Sequence, residues 1–159
     1  MKIALVSLLI LLAIPVGLLS YLHLAENTKV HFANLQDARR EGATGHGLVI
    51  PEGLLPENAT DITLQVNTDT NERWLTYSFV GPKTLRLPEC TPDSTVDVGA
   101  VRAPWWWSRA AADIAKDSEK YRCVDRGELA GFWLSYDCVL AQGLSKGAWS
   151  CDSGRQTPK

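Results

Sequence analysis

Residues 48–80, LVIPEGLLPENATDITLQVNTDTNERWLTYSFV, decide the fold. Ile62, Leu64 and Val66 alternate with polar residues, the period-2 pattern of a half-buried strand. The turn formers Asn67-Thr68-Asp69-Thr70-Asn71 interrupt it. The alternation then resumes, with Leu75, Tyr77 and Phe79 on one face and Trp74, Thr76 and Ser78 on the other. Two such runs around a polar turn predict an antiparallel hairpin. Ahead of it, Pro51, Gly53 and Pro56 stop any helix and hold the chain extended or turning.

Working outward, Asn34 is placed to cap a short helix, with Asp37 in the first turn and Gly42 just past the end. A helix is expected over 35–41, with Leu35 and Ala38 inward. After Phe79, Gly81-Pro82 ends the strand. Leu85 and Leu87 suggest a brief edge strand, and residues 91–101 read as loop. Pro104 suits the first turn of a second helix. Trp107, Ala110, Ala111 and Ile114 recur at i, i+3, i+4 and i+7, so this helix is expected over about 104–117. Residues 121–124, 132–136 and 148–151 read as strands, and 152–159 as a polar tail. The fold class is therefore α+β: a small antiparallel sheet with one or two short helices packed on one face.

Residues 3–22, IALVSLLILLAIPVGLLSYL, carry no charge. In a helix at about 1.5 Å per residue they would span about 30 Å, one hydrocarbon thickness. Lys2 before them favours an N-terminus left in the cytoplasm. A cleavable signal peptide is the competing reading, but the candidate sites around Ser20 and Ala25 carry a bulky residue at the first position. The expected organisation is a transmembrane signal-anchor over 1–25, one extracytoplasmic α+β domain over 26–152, and a tail over 153–159. That places a single-pass chain in a bacterial inner membrane with its domain in the periplasm. If the signal is cleaved, the domain is free in the periplasm or secreted.

Cysteine usage fits export. All four cysteines, Cys90, Cys123, Cys138 and Cys151, lie beyond the apolar run, and an even count there argues for two disulfides. Three pairings are open. Cys138 and Cys151 flank the hairpin-like turn 143–147 and so can face each other across strands, which leaves Cys90 with Cys123. Zinc would call for a CxxC pair, and none exists. The net charge of −2 gives nucleic acid no basic face to bind.

Several segments resemble a family of small bacterial envelope proteins, the YbbD head domain. They are Gly47-Leu48-Val49-Ile50-Pro51, Leu55-Pro56-Glu57-Asn58-Ala59-Thr60-Asp61-Ile62 and Asp69-Thr70-Asn71-Glu72. The likeness covers residues 32–80 and extends loosely to Trp105-Trp106 and Tyr121-Arg122-Cys123. The chain departs from it with Leu-Val-Ile where the family has a Trp, with Asn58 where it has a Ser, and with Cys138 and Cys151. The resemblance implies location and shape; it brings no catalytic residue.

Local motifs add little chemistry. Residues 143–147 match G-x-S-x-G, but every His (His23, His31, His46) lies upstream and the chain is short for a hydrolase fold, so a Gly-flanked turn is expected. Asn67-x-Asp69-x-Asn71 begins like a calcium loop, yet Glu72 stands where Gly is needed and Ser78 where the bidentate Glu belongs. Asn58-Ala59-Thr60 matches a glycosylation acceptor and reads here as a turn. Asp61, Asp69 and Glu72 are the nearest carboxylates for acid–base work, without spacing that sets two across an opening. His31 and His46 lack metal-ligand spacing and are expected to be exposed near the first helix. No catalytic, cofactor or metal residue is assigned.

The exception is Trp105-Trp106-Trp107. Consecutive helical residues point about 100° apart, so three adjacent rings cannot share one buried face. Trp107 should enter the core with Ala111 and Ile114. Trp105 and Trp106 form a candidate binding surface, with Trp106 expected to be the most exposed. The functional expectation is a membrane-tethered, non-catalytic module for a protein or envelope partner, held to the membrane by residues 3–22 and without a cleft of convergent titratable groups. The alternative is a small envelope hydrolase using loop-borne Asp and His, which requires a perturbed carboxylate or His in a pocket.

Overall fold

The computed structural model describes residues 26–44, 50–51, 53–81, 90–98, 103–129 and 132–151. In chain order these form β1 (Asn27–Asn34), α1 (Leu35–Arg40), β2 (Thr60–Asn67), β3 (Arg73–Ser78) and β4 (Cys90–Pro92). There follow α2 (Trp105–Ala115), β5 (Glu119–Leu129), β6 (Phe132–Gln142) and β7 (Lys146–Cys151). The strands make one sheet in the order β1-β2-β3-β7-β6-β5-β4, and every pairing is antiparallel. Two meanders, β1–β2–β3 and β4–β5–β6–β7, thus join through β3 and β7.

The β2–β3 hairpin forms as its alternation requires. Its turn is closed by Asn67, whose Oδ1 accepts the N–H groups of Asp69 and Thr70 at 3.0 Å each, while the Asn67 N–H donates to Glu72 O. The calcium-like spacing is therefore spent on the backbone, as an Asx turn. Asn71 takes a φ of 56°, which Asn tolerates better than most residues. The second glycine-bearing segment is likewise a hairpin turn, with the Gly143 N–H bonded to Lys146 O. Asn58 acts as a turn residue, its amide donating to Val80 O.

Both helices form where the pattern placed them. Asn34 caps α1 by accepting the Asp37 N–H at 3.0 Å, Leu35 and Ala38 are buried, and the left-handed Gly42 follows. Pro104 precedes α2, whose Trp107 and Ala111 are buried. The helices do not share a face. Leu75 and Tyr77 join Ile62, Leu64, Leu140 and Trp149 in a core covered by Leu35, Ala38, Ile50, Leu54 and Leu55. Trp74 points the other way, into a second core with Ala141, Ala148, Trp107 and Ala111. With large apolar residues on both faces of β3, each face needs its own cover, so the molecule has three layers.

Other departures concern edges. β1 has only Val30 and Phe32 facing the core among polar neighbours, too thin an apolar signal to read. β4 sits inside a stretch read as loop, at the far edge of the sheet. β5 and β6 run to eleven residues each, far beyond 121–124 and 132–136. The expected strand at Leu85 and Leu87, the apolar run 3–22, His23, His46 and the tail 153–159 lie outside the described residues. Among the described residues no helix is long and apolar enough to cross a membrane.

The cysteines explain their own pairing. Cys90, Cys123, Cys138 and Cys151 stand directly opposite one another across β4, β5, β6 and β7. Joining the two inner ones would leave the outer two three strands apart, about 14 Å at about 4.8 Å per strand, beyond disulfide reach. The bonds are Cys90–Cys123 and Cys138–Cys151, the pairing expected from the turn at 143–147.

One close approach sets a strong constraint. Gly147 pairs with Tyr77, and the tyrosine ring lies over it. A Cβ on Gly147 would sit 2.2 Å from Tyr77 Cζ. Tyr77 is only 2% exposed and has no room to yield. Gly147→Ala is expected to destabilise by about 1–3 kcal/mol through overpacking. Urea midpoints of the two proteins check this, and an unchanged midpoint would show that the ring repacks freely. The same burial raises the Tyr77 hydroxyl well above its ordinary pKa, so it stays protonated.

Candidate functional site

α2 carries two adjacent stripes. Trp107, Ala111 and Ile114 press on the sheet. Trp106, Arg109, Ala110 and Asp113, at i, i+3, i+4 and i+7, line the flank beside it, with Asp117 just past the end of the helix. α2 packs over β3, β6 and β7, and among the described residues no helix covers the same face of β1 and β2. The step between helix and open sheet is a groove of about 670 Å³. Its floor is Thr76 and Ser78 of β3, and its far end is the β6–β7 turn, with Leu144, Ser145 and Lys146.

Trp106 is fixed in the wall. Its indole N–H donates to Gln65 Oε1 at 2.7 Å, and Lys29 Nζ lies 4.3 Å from the ring centroid. Trp106 is half-buried for this reason, and Trp105 is the exposed one at 80%. The expected order of exposure is reversed, because the tryptophan stripe faces an open sheet surface whose polar residues reach up to meet it. The two rings do not form one surface: Trp106 belongs to the groove, and Trp105 stands at the start of α2. Trp107 is fully buried, its N–H bonded to Leu75 O at 3.2 Å.

At the rim stands a pair that spacing could not reveal. His31 Nε2 lies 2.9 Å from Asp61 Oδ1, thirty residues away in sequence. His31 is exposed, as expected, but on β1 rather than beside a helix. Asp61 has a φ of 50°, at a register shift between Thr60 and Thr63 where β2 bulges against β3. Such a bulge re-aims a side chain, and Asp61 lines the groove. Both partners are well exposed, so the pair contributes little stability.

The remaining groove charges are of both signs, Asp113 and Asp117 beside Arg109 and Lys146. Asp113 accepts from Lys116 Nζ at 3.0 Å. That bond, with the positive charges of Lys116, Arg109 and Lys146, holds the Asp113 carboxyl below its ordinary range. Its small stabilising contribution is thus present at neutral pH and fades as pH falls through the lowered value. A carboxylate held ionised in this way is a weak general base. Among the described residues no hydrogen bond links Thr76, Ser78 or Ser145 to His31 or Asp61, and no group of three His, Cys, Asp or Glu is set to hold a metal. Of the carboxylates singled out in the sequence, Asp61 reaches the groove, whereas Asp69 and Glu72 sit in the hairpin turn. Glu72 is buried there, its carboxylate accepting from the Thr70 hydroxyl at 2.7 Å.

No curated protein and no solved structure matches the chain. Residues 26–78, which make β1, α1, β2 and β3 with the connections between them, match the family model of the YbbD head domain, the family that the segments around Leu55–Ile62 and Asp69–Glu72 resemble.

Proposed function

We propose that this chain is a membrane-tethered extracytoplasmic module that binds a protein or another envelope component in the groove beside α2, without catalysis. The observation that carries the reading is the groove itself: concave, walled by a tryptophan held by a hydrogen bond, floored by hydroxyls, and lined by charges of both signs. Such a surface offers hydrogen bonds and a ring face to a ligand rich in amides or hydroxyls. Two disulfides fit an oxidising compartment, and the YbbD head match fits an envelope protein. The uncharged run 3–22 would supply the tether. A binding module is expected to lack a cleft of convergent titratable groups, and the hydrolase reading has one point of support here: the His31–Asp61 pair at the groove's rim, with Asp61 at a φ of 50°.

Site-directed photo-crosslinking of the full chain in the bacterial envelope separates the readings. A photoreactive residue at Ala110, in the groove wall, should yield a discrete adduct, and one at the exposed Ala112 should not. The adduct should persist in His31→Ala and Asp61→Asn, which a hydrolase would not survive as an active enzyme. Equal labelling from both positions would refute a groove ligand.

A further inference from the structure

Cys90, Cys123, Cys138 and Cys151 make one row across β4, β5, β6 and β7, and all four meet the larger core. The two disulfides therefore lie end to end on one face of the sheet. Between them Cys123 stands directly opposite Cys138, a placement that sets Cβ atoms about 4.5–5.5 Å apart. Thiol–disulfide exchange is a displacement at sulfur, with attacking, central and leaving sulfurs in line. The row supplies such a line through Cys123, Cys138 and Cys151.

Burial decides where exchange begins. Cys90 sits on the edge strand and is half-buried, whereas Cys123, Cys138 and Cys151 are 5%, 1% and 1% exposed. An incoming thiolate meets Cys90 first and expels Cys123 inward. A thiolate in an apolar core is disfavoured, and this one has a disulfide sulfur beside it. Charge decides the next step. Arg73 stands opposite Cys151 on β3 and is itself buried. Its guanidinium lies 4.8 Å from the Tyr136 ring and 5.8 Å from the Trp149 ring. Those rings flank the Cys138–Cys151 bond, Trp149 on one side of the row and Tyr136 on the other. A cation held there favours the Cys151 thiolate and so makes Cys151 the better leaving group.

We propose that the cysteine row is a thiol–disulfide relay, which accepts two electrons from a dithiol at the sheet edge and delivers a free thiol at Cys151. One thiolate of the dithiol attacks Cys90, breaking Cys90–Cys123 and leaving the electron pair on Cys123. Cys123 then attacks Cys138, forming Cys123–Cys138 and releasing Cys151, which takes up a proton. The second thiol of the dithiol displaces Cys90, which takes up the other proton. The dithiol departs as a disulfide, and the chain keeps one bond, Cys123–Cys138. Full oxidation forbids that inner bond, since the outer cysteines are then too far apart to pair. It forms only after the two-electron step, and it unfastens β7 from β6. The relay is independent of the groove and of what the groove binds.

Two full-length variants that lose the same cross-link test it. Cys90→Ser leaves a free Cys123 beside Cys138. Cys123→Ser leaves a free Cys90, two strands and about 10 Å from Cys138. Each is held in native buffer without reductant, quenched in acid, alkylated and mapped by peptide. In Cys90→Ser the label should divide between Cys123 and Cys151 in comparable amounts, because the competing bonds close loops of nearly equal size. In Cys123→Ser it should stay on Cys90, with Cys151 near background. Label confined to Cys123 in the first variant overturns the relay. Equal labelling of Cys151 in both overturns it too, since that is scrambling without the row. In the wild type, limiting dithiothreitol should free Cys90 together with Cys151; thiols confined to Cys90 and Cys123, or a first pair at Cys138 and Cys151, would refute the order of steps.

Discussion

Trp107→Ala should remove about 3–5 kcal/mol, enough to threaten a domain stable by about 5–15 kcal/mol in all. The ring is completely buried between α2 and the sheet, among Trp74, Ala141 and Ala148. Those alanines are small because the indole fills the space above them, so nothing nearby can collapse into the cavity. The substitution also removes the hydrogen bond from the Trp107 N–H to Leu75 O. Its neighbours provide the scale. Trp106→Ala should cost about 1–2 kcal/mol, from one hydrogen bond and one cation–π contact. Trp105→Ala should stay within about 0.5 kcal/mol. Denaturation midpoints of the three variants in detergent check the ranking 107 > 106 > 105. Equal losses at 106 and 107 would mean that the groove wall is core and no ligand surface exists there.

The tryptophan run also marks how far the sequence could be read. That one ring must be buried follows from 100° per residue, and Trp107 is the right one because Ala111 and Ile114 share its face. Which of the other two is exposed depends on what the helix flank meets. That is Gln65 and Lys29, about forty and more residues away, and no periodicity reports it. The β2–β3 hairpin, both helices and the disulfide pairing were legible because each rests on short-range signals: alternation, caps and a turn between cysteines. β1 was not, since an edge strand with two core residues barely differs from a polar loop. The groove was hidden for a related reason. It exists where α2 stops covering the sheet, and its His31–Asp61 rim requires a bulge whose only local sign is an Asp in a left-handed conformation. Helix placement failed on a face, not on an element. Trp74 beside Leu75 and Tyr77 already announced two apolar faces, and two apolar faces need two covers.

Reducing both disulfides should unfold the protein or bring it to the edge of unfolding. On the chain-entropy model, cross-links separated by 13 and 33 residues constrain the unfolded chain by about 3.0 and about 3.8 kcal/mol. The two loops do not overlap in sequence, so the contributions are close to additive, and their sum of about 7 kcal/mol rivals the whole stability of a typical domain. The location sharpens the expectation. Cys138–Cys151 fastens β7 to β6 one strand from the β3–β7 seam that joins the two meanders, and its sulfurs are buried beside Trp149 and Tyr136 in the larger core. Cys90–Cys123 instead holds β4, a three-residue edge strand. Replacing Cys138 and Cys151 together by alanine should therefore loosen the seam and lower the melting temperature of the whole sheet. Replacing Cys90 and Cys123 should cost comparable free energy on the entropy model but release mainly the edge. Hydrogen exchange distinguishes the two: protection of the Leu75 and Ala148 amides should fall in the first variant far more than in the second. Equal protection in both, with both melting temperatures unchanged, would show that the meanders hold together without either cross-link.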